Sequence, residues 1–425
     1  MPAAIYLLGL TAFAMTTSEF MVAGILPELA AGLGVSIPAI GYLVSAFAVA
    51  MAVGGPLLTF GLLRARHKPA LLLLTSVFLV GQTLGALAPG YPVMLASRVI
   101  SGVAESAFFG VAVALAASLA GPALRGRASS IVFGGLMVGS VAGVPVSVVI
   151  TQHAGWRGAF WAVDAVTAVA GLALLAFVPG MARPASPRVI SPHSPAGMRQ
   201  RSPWGRFRAG AGRELAAFRN PHLWASYATT ALLIGAVFSA YSYFAAIFTS
   251  VSGFDAGLVP ALLFGYGAAT IIGNAAVGRF ADRHTLELLT AGMVTLAVAL
   301  VAFALLAHVG WVAVLAMFGV GLSGVSLLPA NTARIMRVGN DHPLVATMGA
   351  AMANVGIAVG PSLGAAAIGA GLGLTSPLWV GTAFAALGLL SLLPYLRPRT
   401  DPTSAPPAAV TCGNGGHRRA GTAGV

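Results

Sequence analysis

Twelve apolar stretches of membrane-crossing length constrain this chain more than any other feature. A helix needs about 20 mostly apolar residues to cross the hydrocarbon core of a bilayer. Peptide groups at that depth have no water to bond to, so each stretch must satisfy its own backbone, which a helix does. The stretches run approximately over residues 5–26, 40–63, 69–88, 92–120, 127–150, 158–178, 223–248, 259–278, 286–306, 310–330, 345–369 and 376–396. Composition agrees. The chain is 58% hydrophobic and only 8% charged, against roughly 25% charged in a soluble domain. So few charges cannot cover a soluble globule of 425 residues. The reading is an all-α membrane protein with twelve transmembrane helices.

The net charge of +13 would be a nucleic-acid signal on a soluble domain. Here the basic residues lie between helices and not on one soluble face, so no nucleic-acid partner is expected. Of the 23 basic residues, 21 fall in loops or tails of one side: Arg64, Arg66, Lys68, Arg125, Arg127, eight Arg in 180–221, Arg279, Arg283, Arg334, Arg337, Arg397, Arg399, Arg418 and Arg419. The opposite loops hold only Arg157, and Arg98 falls within a span. By the positive-inside bias both termini face the cytoplasm.

The same pass divides the chain. Residues 1–179 form an N-terminal six-helix bundle and 222–396 a C-terminal one. Between them, 180–221 is a basic cytoplasmic linker rich in Pro, Ser and Arg, with a short amphipathic helix at Glu214–Arg219. The Pro-, Gly- and Thr-rich tail 397–425 reads as disordered. The first apolar run is too long for a signal-peptide core and reads as an uncleaved span. The single cysteine, Cys412, lies in the tail, so no intrachain disulfide forms.

The halves echo each other. Gly139-x3-Gly143 precedes Pro145 in the fifth span, and Gly356-x3-Gly360 precedes Pro361 in the eleventh. The offset is 217 residues, and it also carries Arg66 onto Arg283. Such spacing lets helices approach closely, and the prolines supply bends. Two matching six-helix halves joined by a polar loop are the layout of a rocking transporter.

Several motifs resemble the twelve-span drug:proton antiporters of the major facilitator superfamily. Thr17-Ser18-Glu19-Phe20-Met21 with Gly24 and Pro27 resembles the first-span motif, and Arg98-x3-Gly102 the fourth-span motif. The glycines of 135–143 with Pro145 resemble a variant of the fifth-span antiporter motif. Gly155-Trp156-Arg157 followed by Phe160 fits the pattern too, and Gly278-x-Phe280-Ala281-Asp282-Arg283 resembles the cytoplasmic loop motif. The resemblance extends to about residue 396 and is closest, through 1–30 and 143–161, to chloramphenicol-efflux proteins of actinobacteria. There are two departures. The first-half loop Gly61–Lys68 lacks the acidic residue, and Glu105 stands where those proteins carry a neutral one.

The resemblance implies the major facilitator fold, a bacterial plasma-membrane location and a monomer. It also implies export of a small amphiphilic compound such as chloramphenicol in exchange for protons. Efflux of sugars or purines is the other reading within the family. Gly139, Gly143, Pro145, Asp282, Arg283, Gly356, Gly360 and Pro361 are the gating candidates.

Four ionisable residues lie within spans: Glu19, Arg98, Glu105 and Asp164. Each costs about 2.5–3.5 kcal/mol at a helix centre, so such groups usually face a cavity or a partner. No span buries a histidine, so a proton relay must use carboxylates. Glu19 either loads and releases protons or ties the first helix to a neighbour. Arg98 and Glu105 share one helix face about 10.5 Å apart along the axis, too far for a simple intrahelical pair. The resemblance implies that Arg98 couples protonation to substrate; a static pair between helices is the alternative for both. Asp164 reads as a structural partner.

For the substrate cavity, Tyr241, Phe244 and Phe248 form one aromatic stripe, and Asn354 is a polar candidate. Packing within the bundle explains them as well. An enzyme is disfavoured. Gly321-Leu322-Ser323-Gly324 matches a rhomboid serine motif, but a serine nucleophile needs a base. No P-loop, dinucleotide or zincin motif occurs. No metal or cofactor is expected, and the energy comes from the proton gradient.

Overall fold

The computed structural model of the chain describes residues 2–62, 67–120, 124–178, 218–281, 284–339 and 343–396. Most of the linker, the tail, Asp282 and Arg283 lie outside the described residues. Every regular element described is helical, as apolar segments without a water-satisfied backbone require. Eleven stretches are long and apolar enough to cross a membrane. One of them, Arg125–Phe177, is 53 residues long, more than twice the ~20 that one crossing needs. At Gly155 its backbone leaves helix geometry, with φ 71 and ψ 169, a conformation that glycine adopts without a Cβ clash. That corner separates the fifth and sixth spans and restores the count of twelve.

The corner replaces the short loop expected at 151–157, and neighbouring side chains tie it down. Arg157 donates to the Ala88 carbonyl at 2.9 Å, and its guanidinium lies 4.1 Å over the Trp156 ring. A side chain at Gly32 would strike the Trp156 indole.

The other spans follow the hydropathy pattern with local breaks. The first, Ala3–Gly24, is followed by a short helix, Leu26–Leu33. The second to fourth are Ile37–Leu62, His67–Ala86 and Tyr91–Ala120. The seventh splits into Pro221–Tyr241 and Phe244–Ser250. The eighth and ninth are Val259–Phe280 and Thr285–Leu306, and the last two Pro343–Gly369 and Ser376–Leu396. The tenth corrects the expected boundary. It continues beyond residue 330 through a 3-10 turn, Val325–Leu327, into Leu328–Gly339. Arg334 and Arg337, read above as loop charges, are therefore helical. Their side chains have partners within the bundle, Thr229 for Arg334 and Thr285 for Arg337, so the chain has no need to leave the helix to solvate them.

The internal repeat is a packing device. In the first half the fifth span lies on the first, and in the second the eleventh lies on the seventh. A Cβ at Gly139 would stand 2.6 Å from the Phe13 carbonyl oxygen, and one at Gly143 would strike Thr17. In the second half a Cβ at Gly356 would stand 2.6 Å from the Ala231 carbonyl oxygen, and one at Gly360 2.5 Å from that of Gly235. Each pair steps by four residues, one helical turn, so both glycines face the neighbour. Lipid gives helices no hydrophobic reason to associate, and this close backbone approach supplies dispersion contact instead. The halves differ in detail. The fifth span makes a π-helical turn at Gly139–Gly143, just before Pro145, which accommodates the missing proline N–H. The eleventh carries Pro361 inside a continuous helix.

The halves meet where the second span packs on the eleventh and the fifth on the eighth. Several of these contacts lie toward the end remote from the chain termini. Gln152 donates to the Ala256 carbonyl at 2.6 Å. The hydroxyl end of Tyr243, which donates to the Pro361 carbonyl of its own half at 2.8 Å, fills the space that a side chain at Gly41 of the first half would occupy.

Overpacking typically costs about 1–3 kcal/mol. Gly139→Val and Gly360→Val should each lower the melting temperature of the detergent-purified protein by several degrees. Gly110→Ala, where a Cβ meets nothing within 4 Å, should leave it unchanged. Equal melting of all three proteins would refute the close-packing role.

Candidate functional site

Three spans are tied together in the first half by a buried polar cluster around Arg98. The Arg98 side chain is fully buried. Nη1 donates to Ser18 Oγ at 3.1 Å. Nη2 donates to the carbonyls of Ser18 at 3.0 Å and Glu19 at 3.2 Å. Ser18 Oγ in turn donates to Gln82 Oε1 at 2.8 Å, which brings in the third span. The guanidinium lies 4.0 Å over the Phe47 ring. Gly102 makes that stacking possible: a Cβ there would be 2.7 Å from the Phe47 carbonyl, so its absence lets the second span close in. A planar fork that also stacks is what arginine offers and lysine does not.

Arg98 forms no ion pair; among the described residues the ion pair present is His284–Glu287. The alternative of a static charge pair between helices is not seen for Arg98 or Glu105 among the described residues. Arg98 holds the backbone that carries Glu19 rather than the Glu19 carboxylate. Glu105 is fully buried, with one long contact from Thr16 Oγ1 at 3.5 Å and its second oxygen unpartnered.

Glu19 is 8% exposed and has no hydrogen-bond or ion-pair partner among the described residues. It does not tie the first helix to a neighbouring hydroxyl or amide. The next residue, Phe20, stacks on Phe238 of the other half with ring centroids 5.4 Å apart. The Glu19 carboxyl thus has no hydrogen-bond partner among the described residues, on a turn fixed by Arg98 and one position before a residue at the seam. Asp164 takes the structural place expected of it, accepting from Thr83 at 2.7 Å.

The aromatic stripe is divided. Phe244 and Phe248 are fully buried and pack on Phe303 at 5.4 and 5.6 Å. Tyr241 lies 5.0 Å from Tyr266 and 5.7 Å from Phe238. The break at Ser242–Tyr243 turns the last part of the stripe into the second half's core. Phe238 and Phe20 are the aromatics beside the seam; the sequence reading gave neither of them a cavity role. Asn354 is half-buried and makes no hydrogen bond among the described residues. Asn331 is fully buried and donates to the Ser226 carbonyl at 3.1 Å and to Thr230 at 2.6 Å, so it joins helices. An apolar groove of about 560 Å³ lies between the second and fourth spans, lined by Val49, Val53, Val99 and Val103.

Ser323, in the serine motif, donates back to the Gly319 carbonyl at 2.6 Å, an ordinary intrahelical bond. Ser18, Gln82 and Phe47 went unassigned in the sequence. Gln82 was the available signal, as the lone amide in the third span.

Twelve spans in two matching halves, packed together along their second, fifth, eighth and eleventh spans, define a multi-pass membrane transporter. The sequence matches the model of the Major Facilitator Superfamily over residues 8–351, and the chain belongs to that family. It is 31% identical over 396 residues to the inner membrane transport protein YdhP of Escherichia coli K12, covering 93% of this chain and 96% of that protein. It is also 31% identical over 418 residues to a chloramphenicol resistance protein of Streptomyces lividans, covering 97% and 100%. The fold is shared with a bacterial homologue of the human lysosomal transporter Spinster, solved in an inward-facing, unoccupied conformation, at a TM-score of 0.62 and 16% identity over 92% of this chain and 94% of that one.

Ser18→Ala removes the hydroxyl that Arg98 and Gln82 share, and each stranded buried group costs about 1–3 kcal/mol. The expected result is a melting temperature lowered by several degrees. Arg98→Lys should lower it as well, because lysine cannot stack on Phe47 while forking to two carbonyls. Wild-type melting in both variants would show that the cluster does not hold the spans.

Proposed function

We propose that the chain is a proton-driven exporter of a small amphiphilic compound, with chloramphenicol the leading substrate. The observation that carries this reading is Glu19, a carboxyl within a span with no hydrogen-bond or ion-pair partner among the described residues. A carboxyl spent on structure would be paired, as Asp164 is with Thr83. A carboxyl that alternates between a proton and a substrate must be left free. The Phe20–Phe238 stack beside it offers flat apolar surface to a ring-bearing molecule. The likeness to the Streptomyces chloramphenicol resistance protein along nearly its whole length supports the substrate class.

In this scheme the halves rock about the seam. The contacts of Gln152, Tyr243 and Phe20 seal the end remote from the termini, and the positive-inside bias makes that end the extracytoplasmic one. Protonation of Glu19 from outside and deprotonation inside drive the exchange, with Glu105 as a second acid one helix away. Arg98 contributes by fixing the Glu19 backbone, so that a proton gained or lost there is felt by the first, third and fourth spans together. Asn354 is an amide free to meet substrate, as is Asn274 of the eighth span, which makes no hydrogen bond among the described residues either. Sugar or purine export would call for several such free amides, and Gln82 and Asn331 are already engaged between helices.

Expression in an efflux-deficient bacterium should raise chloramphenicol tolerance severalfold, and Glu19→Gln should remove that gain while the protein remains folded in the membrane. Everted vesicles energised with a pH gradient should accumulate labelled chloramphenicol with the wild type only. Sugar or purine accumulation without any drug effect would overturn the substrate; gradient-driven uptake by Glu19→Gln would overturn the proton site.

A further inference from the structure

Arg334 is a buried cation that the transport scheme leaves unused. It lies near the end of the tenth span on the side of the chain termini and is 6% exposed. Nη1 donates to Thr229 Oγ1 at 3.2 Å, and Thr229 pairs with Ser391 at 2.9 Å. The guanidinium lies 4.3 Å over the Tyr395 ring. Nη2 is enclosed and has no hydrogen-bond partner, and Arg334 makes no ion pair. Above it Tyr395 Oη meets His222 Nδ1 at 2.8 Å. His222 is exposed and Tyr395 half-buried. From the surface inward, His222, Tyr395 and Arg334 thus form a polar column whose base is a positive charge without a counter-charge.

The surroundings place the mouth of this column at the membrane boundary. Trp224 is 48% exposed, donates to the Phe218 carbonyl at 2.8 Å and packs on Phe218 and Tyr227. Exposed tryptophan at the start of one span and tyrosine at the end of another mark the headgroup layer. A buried, unpaired cation is costly, and the described residues offer no anion to offset it.

We propose that this column binds a phosphodiester anion, the headgroup of an acidic phospholipid in the leaflet on the side of the termini. The chemistry matches. Nη2 of Arg334 gives a charge-assisted hydrogen bond to a phosphate oxygen, the Tyr395 hydroxyl, accepting from His222 Nδ1–H, supplies a second donor, and one negative charge balances one positive. The basic excess on this side enriches acidic lipid at the mouth. Such a lipid staples the seventh, tenth and twelfth spans together, whatever the transported substrate is.

The test uses the full chain in nanodiscs of phosphatidylcholine alone or mixed with phosphatidylglycerol, read by melting temperature and by native mass spectrometry of retained lipid. Phosphatidylglycerol should raise the melting temperature of the wild type. Arg334→Gln should lose most of that rise and retain phosphatidylglycerol roughly tenfold less, and Arg334→Lys should keep part of both. Equal rises and equal retention in the wild type and Arg334→Gln would overturn the site. Should Arg334→Gln fail to fold, phosphatidylglycerol with a photoreactive headgroup decides on the wild type. Labels on peptides containing 222, 334 or 395 support the site, and labels only elsewhere overturn it. If inorganic phosphate gives the same rise in phosphatidylcholine discs, the lipid is overturned in favour of a soluble anion.

Discussion

Inside a bilayer the peptide group has nothing but itself to bond to, and every other feature of this protein follows from that. The spans must be helices before they pack, so packing decides little about secondary structure and everything about which faces meet. Because lipid is as apolar as the helices, association depends on close fit and on buried hydrogen bonds. The glycine pairs at 139/143 and 356/360 supply the fit. Both bring backbone against backbone, on the first span in one half and the seventh in the other. The two halves are thereby built to one plan.

Buried polar groups supply the rest, and they are unevenly used. Arg98, Ser18 and Gln82 form a cluster in which the cation is bonded to carbonyls and stacked on a ring. Its cost is offset in part by these bonds, though Nε stays without a partner and the charges of Glu105 and Glu19 act on it as well. No carboxylate is bonded to it, and Glu19 keeps a carboxyl without a hydrogen-bond partner among the described residues. Thr83–Asp164 and Asn331–Thr230 show the opposite use, where polar groups join helices, although Asp164 Oδ1 and Asn331 Oδ1 remain without a partner.

The second half answers with aromatics. Its seventh span breaks at Ser242–Tyr243, which turns Phe244 and Phe248 into the core while Phe238 stays beside the seam. Tyr243, freed to point across the break, bonds to the Pro361 carbonyl and packs against Gly41. The same short interruption thus brings Tyr243 against the first half and leaves Phe238 stacked on Phe20.

Hydropathy, loop charge and the 217-residue offset were legible without coordinates, because each is a one-dimensional consequence of lipid and of gene-level repetition. They fixed the helical class, the twelve crossings and the glycines that would pack. They could not place the corner at Gly155, which is a single residue in a continuous apolar run. Nor did they show that the tenth span extends past residue 330, because Arg334 is stabilised by Thr229 and Tyr395 from other spans. The partners of Arg98 were equally hidden. Which of two acids is paired, and with what, depends on distances across helices far apart in sequence. Only the tertiary structure assigns Ser18, Gln82 and Phe47 to Arg98 and leaves Glu19 free.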